Sequence, residues 1–151
     1  DDSRLQQVLI NLLINATKFT PQGSIVLKLE KETDDTVLFT VTDTGCGIPK
    51  DKQANIFQRF EKLNENAQGS GLGLSICQLI IEHIGGQIWI DSEYTEGSRF
   101  CFTHPISRQA ERSIRNETDI YIAHCLMLAI TVRTRRCATG RSQRIACYVY
   151  I

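Results

Sequence analysis

The stretch Gly69-Ser70-Gly71-Leu72-Gly73-Leu74 decides the fold of this chain. Its three glycines alternate with other residues and lead directly into an apolar helical pattern. Glycine has no Cβ, so the backbone there can come close to a ligand. A helix that begins at such a loop directs free N–H groups and the positive end of its dipole toward an anion. The stretch therefore indicates a phosphate site, but an ordinary flexible turn has the same composition.

Apolar residues at helical spacing surround this stretch and predict three helices. They lie at residues 3–18, 51–60 and 72–84. In the second helix we expect Ile56, Phe57 and Phe60 to face inward. Gly85-Gly86 predicts the end of the third helix.

Alternating apolar and polar residues predict four strands. They lie at residues 25–29, 37–41, 87–92 and 99–104. The order along the chain is then helix, hairpin, helix, helix, hairpin. This order predicts an α+β fold, a two-layer sandwich with helices on one face of a mixed, mostly antiparallel sheet.

Composition divides the 151 residues into two parts. Residues 1–107 hold nine Lys and Arg against fourteen Asp and Glu, a net charge of −5, whereas residues 108–151 hold eight Arg against three acids, a net charge of +5. The overall charge of zero argues against a nucleic-acid partner. We expect residues 1–107 to be one domain and residues 108–151 to be a poorly specified basic tail, either disordered or non-native. The six cysteines form no CxxC pair, which favours reduced thiols over a zinc site.

Polar side chains interrupt the apolar face of the first predicted helix. Asn11 and Asn15 lie four residues apart on one helical face, and Lys18 follows one turn later. Two asparagines can simply be the polar edge of a helix. However, an amide oxygen is also a ligand suited to Mg²⁺, and a lysine is a point charge suited to phosphate.

A second polar group follows the second strand. Asp43 leaves the strand, and Gly45 and Gly47 let the chain turn tightly before Ile48. An ordinary hairpin exit has the same pattern. A functional interpretation is adenine recognition, because an ionised carboxylate accepts a hydrogen bond from an exocyclic amine. Arg59, just before the polar residues 61–70, is a candidate contact for a terminal phosphate.

Four motifs together resemble those of sensor histidine kinases, over about residues 1–107. Asn11 to Thr20 resembles the N box, Asp43 to Pro49 the G1 box, Ile56 to Phe60 the F box, and Gly69 to Leu74 the G2 box. The stretch Glu96-Gly97-Ser98-x-Phe100 is similar to the closing hairpin of that family. The boxes stand in the order that the family shows.

The resemblance implies the left-handed ATP-binding sandwich shared with gyrase and mismatch-repair ATPases. In that fold Asn15 would coordinate Mg²⁺ with help from Asn11, and Lys18 would touch phosphate. Asp43 would bind the adenine amine, Arg59 would stabilise the γ-phosphate, and residues 61–72 would form a lid over ATP. The remaining expected nucleotide contacts are Gly45, Gly47, Ile48, Gly69, Ser70, Gly71, Leu72, Gly73 and Leu74. The family usually has a strand just before the N box, and without it we expect an unpaired sheet edge.

One position favours phosphate transfer over hydrolysis. In the ATP-hydrolysing relatives, a glutamate that activates water precedes the metal-binding asparagine by four residues. Here that residue is Asn11, which is no base near neutral pH. The resemblance therefore implies a protein-histidine kinase of a two-component system, with ATP and Mg²⁺ as cofactors.

The phosphoacceptor histidine must come from elsewhere, because His83, His104 and His124 do not stand in the family's His-Glu-x-x-x-Pro motif. The implied partners are a dimerisation and phosphoacceptor domain and the receiver domain of a response regulator. The alternatives are a nucleotide-binding fragment without transferase activity, and a serine kinase or anti-sigma factor on the same fold. We expect a cytoplasmic location without direct membrane contact, and leave open whether a parent kinase is anchored in the inner membrane.

Overall fold

A layer of helices covers one face of an antiparallel sheet in this structure, a computed structural model that describes residues 2–33, 35–60, 71–105, 132–135 and 144–150. No helix in these ranges has the length and apolar character needed to cross a bilayer. The helices are α1 (Asp2–Phe19), α2 (Lys50–Gln53) and α3 (Gly73–His83). The strands are β1 (Ser24–Thr33), β2 (Thr36–Asp43), β3 (Ile88–Ile90), β4 (Ser98–Pro105), β5 (Val132–Arg135) and β6 (Arg144–Tyr150).

The sheet has the strand order β3-β4-β2-β1-β6-β5. Each of the five neighbouring pairs is antiparallel. The prediction of an α+β fold with a mostly antiparallel sheet is therefore confirmed. The expected parallel component does not occur among the described strands.

The register of the three central strands aligns their buried side chains in rows across the sheet. Leu29, Phe39 and Phe102 form one row, and Leu27, Val41 and Phe100 form the next. The third row, at the end of the sheet, consists of Ile25, Asp43 and Ser98, all three buried. Because alternate residues of a strand share a face, Asp43 points into the same side of the sheet as the apolar core.

The predicted first helix is confirmed within one residue at each end. Helix α1 packs against α3 and against strands β1 and β2. Its buried residues recur every three or four positions, as a single apolar face requires. They are Leu5, Val8, Leu9, Leu12 and Ala16. Pro21 restricts the residue before it to extended conformations, which ends the helix.

Helix α3 ends as predicted at a glycine pair. Gly85 adopts φ +82°, a left-handed conformation that glycine reaches without strain. Its N–H donates to the carbonyl oxygen of Glu82, and the N–H of Gly86 donates to that of Ile81. These two bonds are the Schellman arrangement that satisfies the last carbonyls of a helix.

The predicted helix at residues 51–60 is wrong beyond Gln53. From Lys52 onward the N–H groups of Asn55 and Gln58 donate three residues back, so the chain continues in successive tight turns. Ile56 is buried and Phe57 packs on the core as expected, but Phe60 is 72% exposed. The physical reason is its backbone: Phe60 has φ +66° and its N–H donates to the Gly71 carbonyl oxygen at 3.0 Å.

The described parts of the predicted tail are strands, which the sequence analysis did not expect. Strand β6 pairs with β1 over the whole register from Ser24 to Glu30, and β5 pairs with β6. The outer side of β1 is therefore paired. The assignment of residues 108–151 to a separate, poorly specified tail stays a prediction, since most of these residues lie outside the described ranges.

Replacing Phe39 tests the core. Phe39 and Phe102 are fully buried, and their rings stack with centroids 4.7 Å apart. We expect Phe39→Ala to lower the free energy of unfolding by about 3–5 kcal/mol, since a large buried ring leaves a cavity. The control, Ile14→Ala, removes a side chain that is 59% exposed and should change it by less than about 0.5 kcal/mol. Urea denaturation followed by circular dichroism measures both, and equal effects would contradict this core.

Candidate nucleotide site

The carboxylate of Asp43 is the best-fixed polar group at the end of the sheet. Only 3% of Asp43 is exposed. Its Oδ1 accepts hydrogen bonds from the N–H of Gly45 at 2.9 Å and from the N–H of Ser98 at 3.2 Å. Among the described residues, none donates a hydrogen bond to the other oxygen, Oδ2. A carboxylate only accepts hydrogen bonds, so Oδ2 suits a ligand that carries an N–H group.

Glycines around Asp43 let three backbone segments meet. A Cβ at Gly45 would overlap the Phe19 carbonyl oxygen, and a Cβ at Gly97 would overlap that of Asp43. Gly47 adopts φ +69° and lies beside Gly97. The expected nucleotide contacts of Gly45 and Gly47 stay a prediction. A Cβ at either position would lie within 3.1 Å of a backbone oxygen of the protein, so these glycines also let the segments pack around the carboxylate.

A buried hydroxyl lies next to this carboxylate loop. Thr20 is fully buried, and its Oγ1 has no hydrogen-bond partner in the described part of the chain. The oxygen lies 2.6 Å from the position that a Cβ of Gly45 would occupy. A buried hydroxyl without a partner costs about 1–3 kcal/mol. Such an unpartnered polar atom beside a half-used carboxylate fits a site that a polar ligand completes.

Asn11 connects the N box with the glycine-rich stretch. The position of a Cβ on Gly73, the first residue of α3, lies 3.9 Å from both Cγ and Oδ1 of Asn11. The two motifs that the sequence analysis assigned to metal and phosphate are therefore in contact at the beginning of α3. An amide oxygen at a helix N-terminus fits a metal–phosphate group.

The other predicted polar residues lie along the same edge of α1. Asn15 is half-buried one turn after Asn11, and Lys18 is exposed in the last turn of the helix. The Lys18 Nζ lies 5.0 Å from the centroid of the Phe19 ring, a cation–π contact.

Arg59 is exposed in the turns that follow α2. Its role at a terminal phosphate stays a prediction.

The remaining predicted nucleotide contacts include residues with backbone roles in the structure and residues that pack against the core. The Leu72 carbonyl oxygen accepts the Ser75 hydroxyl at 2.9 Å and the N–H of Ile76 at 3.0 Å, which fixes the beginning of α3. Leu74 and Ile48 pack against the apolar core. Gly71 adopts φ +70°. Gly69 and Ser70 lie outside the described residues.

Ser98 is part of the site but was not among the predicted site residues. The motif Glu96-Gly97-Ser98-x-Phe100 indicated a closing hairpin, but not that its backbone holds the Asp43 carboxylate. The position of Ser98 follows from the strand register, because pairing β2 with β4 places Ser98 opposite Asp43, and the sequence pattern alone does not set this register. Arg99 anchors the same turn: it forms an ion pair with Asp91 at 3.1 Å and stacks on Tyr94.

Cys77 lies beneath the site, at the contact between α1 and α3. Its side chain is fully buried, and its Sγ lies 3.9 Å from the Val8 carbonyl oxygen. Burial raises the pKa of the Cys77 thiol to about 11, while the side chain of Asn11 acts in the opposite direction and lowers this pKa. The thiol is therefore protonated at neutral pH and donates its hydrogen to Val8.

Comparison with known proteins shows the family to which residues 1–108 belong. A family model described as histidine kinase-, DNA gyrase B-, and HSP90-like ATPase matches residues 1–108. The chain is 43% identical over 111 residues to the adaptive-response sensory kinase SasA of Synechococcus elongatus, which covers 72% of this chain and 29% of SasA. It is 46% identical over 110 residues to the circadian input-output histidine kinase CikA of the same organism, which covers 70% of this chain and 14% of CikA.

Solved structures of histidine kinases are also similar to this chain. The mycobacterial sensor histidine kinase MprB is 28% identical with a TM-score of 0.65, over 70% of this chain and 74% of that one. Full-length ShkA in complex with AMPPNP is 37% identical with a TM-score of 0.59, over 68% of this chain and 21% of ShkA. The chain spans less than a third of the length of the curated relatives named here. Its residues 1–108 are an ATPase domain, and the chain belongs to the histidine kinase-, DNA gyrase B-, and HSP90-like ATPase family.

Proposed function

We propose that this chain is the catalytic module of a sensor histidine kinase, which binds Mg·ATP and donates the γ-phosphate to a histidine on a separate phosphoacceptor domain. The observation that carries the proposal is the Asp43 carboxylate. One of its oxygens is fixed by two backbone N–H groups, and no described residue donates a hydrogen bond to the other. An adenine amine would donate to Oδ2 at the beginning of the loop whose Gly45 lies next to the unpartnered hydroxyl of Thr20.

The triphosphate end would lie at the beginning of α3. Asn11 and Asn15 would hold Mg²⁺ through their amide oxygens, and when bound the metal supplies charge neutralisation for the phosphate oxygens. The contact between Asn11 and Gly73 supports this assignment, since it joins the amide oxygen to a helix N-terminus. Lys18 and Arg59 would add positive charge, and Gly69 to Leu74 would contact the phosphates with their backbone.

The residue types at this end favour transfer over hydrolysis. Asn11 stands where hydrolysing relatives carry a general base, and an amide does not accept a proton from water near neutral pH. In the proposed reaction an imidazole nitrogen forms a bond to the γ-phosphorus, and ADP leaves with the bridging oxygen and its electron pair. The chain's contribution is then positioning and charge neutralisation. A receiver domain of a response regulator would accept the phosphate in the next step.

Substituting Asp43 and Asn15 tests nucleotide binding. We expect Asp43→Ala and Asn15→Ala each to abolish ATP binding in isothermal titration calorimetry, because they remove the adenine acceptor and the metal ligand. Asp51→Ala and Asn55→Ala are the matched controls, since both residues are exposed on or just after α2. They should bind ATP like the wild type, and thermal melts should show that every variant is folded. Affinity close to wild type in both site variants would contradict the assignment.

Phosphate transfer is tested with γ-³²P-ATP and a separate protein whose helix carries the His-Glu-x-x-x-Pro motif. We expect label on that histidine, recognised as stable to alkali and labile to acid. Label should be lost with a His→Gln acceptor and with Asp43→Ala in this chain. Measurable ATP binding without any label would instead identify a binding module, and acid-stable label on serine would identify a serine kinase.

A further inference from the structure

The turn between β3 and β4, residues 91–97, leads directly to the Asp43 carboxylate. Ser98 follows the turn, and its N–H donates to Oδ1 of Asp43 at 3.2 Å. The end of the turn is tightly packed there, because a Cβ on Gly97 would overlap the Asp43 carbonyl oxygen and lie 2.9 Å from the Gly45 nitrogen. The orientation of the carboxylate therefore depends on where this turn ends.

Arg99 contacts the turn from the outer face of the sheet. Ser98 is buried on the core side, and successive residues of a strand point to opposite faces, so the Arg99 side chain lies on the other face. Its Nη1 donates to Oδ2 of Asp91 at 3.1 Å, and its Nε donates to Oγ1 of Thr42 at 3.3 Å. The guanidinium also lies 4.2 Å from the centroid of the Tyr94 ring. A planar guanidinium can keep several such partners in a fixed geometry.

The partners of Arg99 belong to the turn and to the strand that carries Asp43. Asp91 begins the turn, and its N–H donates to the Arg99 carbonyl oxygen at 2.8 Å. The Asp91 carbonyl oxygen accepts the N–H of Tyr94 at 3.3 Å. Thr42 precedes Asp43 on β2 and lies opposite Arg99 in the strand register. One side chain therefore connects the turn with the end of β2.

The exposure of this cluster indicates a local role. The side chains of Arg99 and Asp91 are 36% and 29% exposed, and an ion pair with such exposure adds little to the stability of a whole fold. Its effect is to restrict the backbone beside it, which includes Ser98. A displacement of about 1 Å is enough to lose a well-oriented contact with a ligand.

We propose that Arg99 is a positioning residue for nucleobase recognition. From the outer face of the sheet it fixes the turn, so that Ser98 donates to Oδ1 of Asp43 and Oδ2 is presented to the exocyclic amine of the base. This inference rests on the proposed function, because it concerns the base of the bound nucleotide. Arg99 itself touches no ligand: it acts through Ser98 and Asp43.

Calorimetric titration with ATP and with purine riboside triphosphate tests this role, because the two ligands differ only in the exocyclic amine. We expect Arg99→Met to weaken ATP binding about three- to tenfold, the range for one hydrogen bond, and to leave binding of purine riboside triphosphate unchanged. Arg4→Met is the matched control, since Arg4 is exposed on α1 and its replacement changes the net charge equally. It should bind both ligands like the wild type.

Equal losses for the two ligands in Arg99→Met would show that Arg99 only supports the fold, and would overturn the inference. Unchanged affinity for ATP would overturn it as well.

A double-mutant cycle tests whether the ion pair acts through one shared contact. Asp91→Ala should weaken ATP binding selectively, as Arg99→Met does. The double variant should bind ATP no more weakly than Arg99→Met alone, because the contact is already lost. Additive losses would show that the two side chains act independently, and would contradict the proposed role of Arg99.

The position of Ser98 is also measurable without nucleotide, by amide hydrogen exchange in NMR spectra. We expect the Ser98 N–H to exchange about tenfold faster in Arg99→Met, because its bond to Asp43 opens more often. The N–H of Phe102, a fully buried residue of the same strand, should exchange as in the wild type. Equal acceleration at both residues, or none at Ser98, would overturn the inference.

These measurements distinguish failure of this inference from failure of the proposed function. If the wild type prefers ATP over purine riboside triphosphate and Arg99→Met behaves like Arg4→Met, only this inference fails. If the wild type binds no ATP, the proposed function fails, and the role of Arg99 in base recognition fails with it.

Discussion

Oδ1 of Asp43 accepts hydrogen bonds from Gly45, two residues later, and from Ser98, which is 55 residues later in the sequence. They connect the end of β2, the loop after it, and the beginning of β4. Hydrogen bonds to a charged group are worth about 1.5–3 kcal/mol each, so the arrangement offsets much of the cost of burying a carboxylate. The glycines at positions 45, 47 and 97 follow from this constraint, since a side chain there would keep the segments apart.

Helices α1 and α3 carry the other predicted site residues, and apolar packing holds these helices in place, whereas hydrogen bonds hold Asp43. Apolar packing joins α1 to α3 and to the sheet, and it needs only the right spacing of leucine, valine and isoleucine. The polar residues sit on that packed frame, with Asn11 at the beginning of α3 and Cys77 one turn deeper. This close packing brings together two motifs separated by about sixty residues of sequence, so that Asn11 contacts the first residue of α3.

The spacing of apolar residues correctly predicted the helices and strands that bury a single apolar face. The limits of α1 and α3 and the alternation in β1, β2 and β4 follow directly from the spacing of buried residues. The structure differs from the prediction where tertiary contacts outweigh the local sequence pattern. Phe60 is apolar yet exposed, because a bond to Gly71 fixes its backbone in a left-handed conformation. The contact of Ser98 with Asp43 depends on strand register, which the pattern alone leaves open, and nothing in the composition of residues 108–151 indicated that strands β5 and β6 extend the sheet.

The hydrogen bond from the Phe60 N–H to the Gly71 carbonyl oxygen limits the substitutions that the domain tolerates at these two residues. It brings the two ends of residues 61–70 together at fixed points, one after the α2 turns and one before α3. Gly71 adopts φ +70°, a backbone conformation in which a side chain is strained. A substitution at this anchor therefore disturbs the position of Phe60 as well.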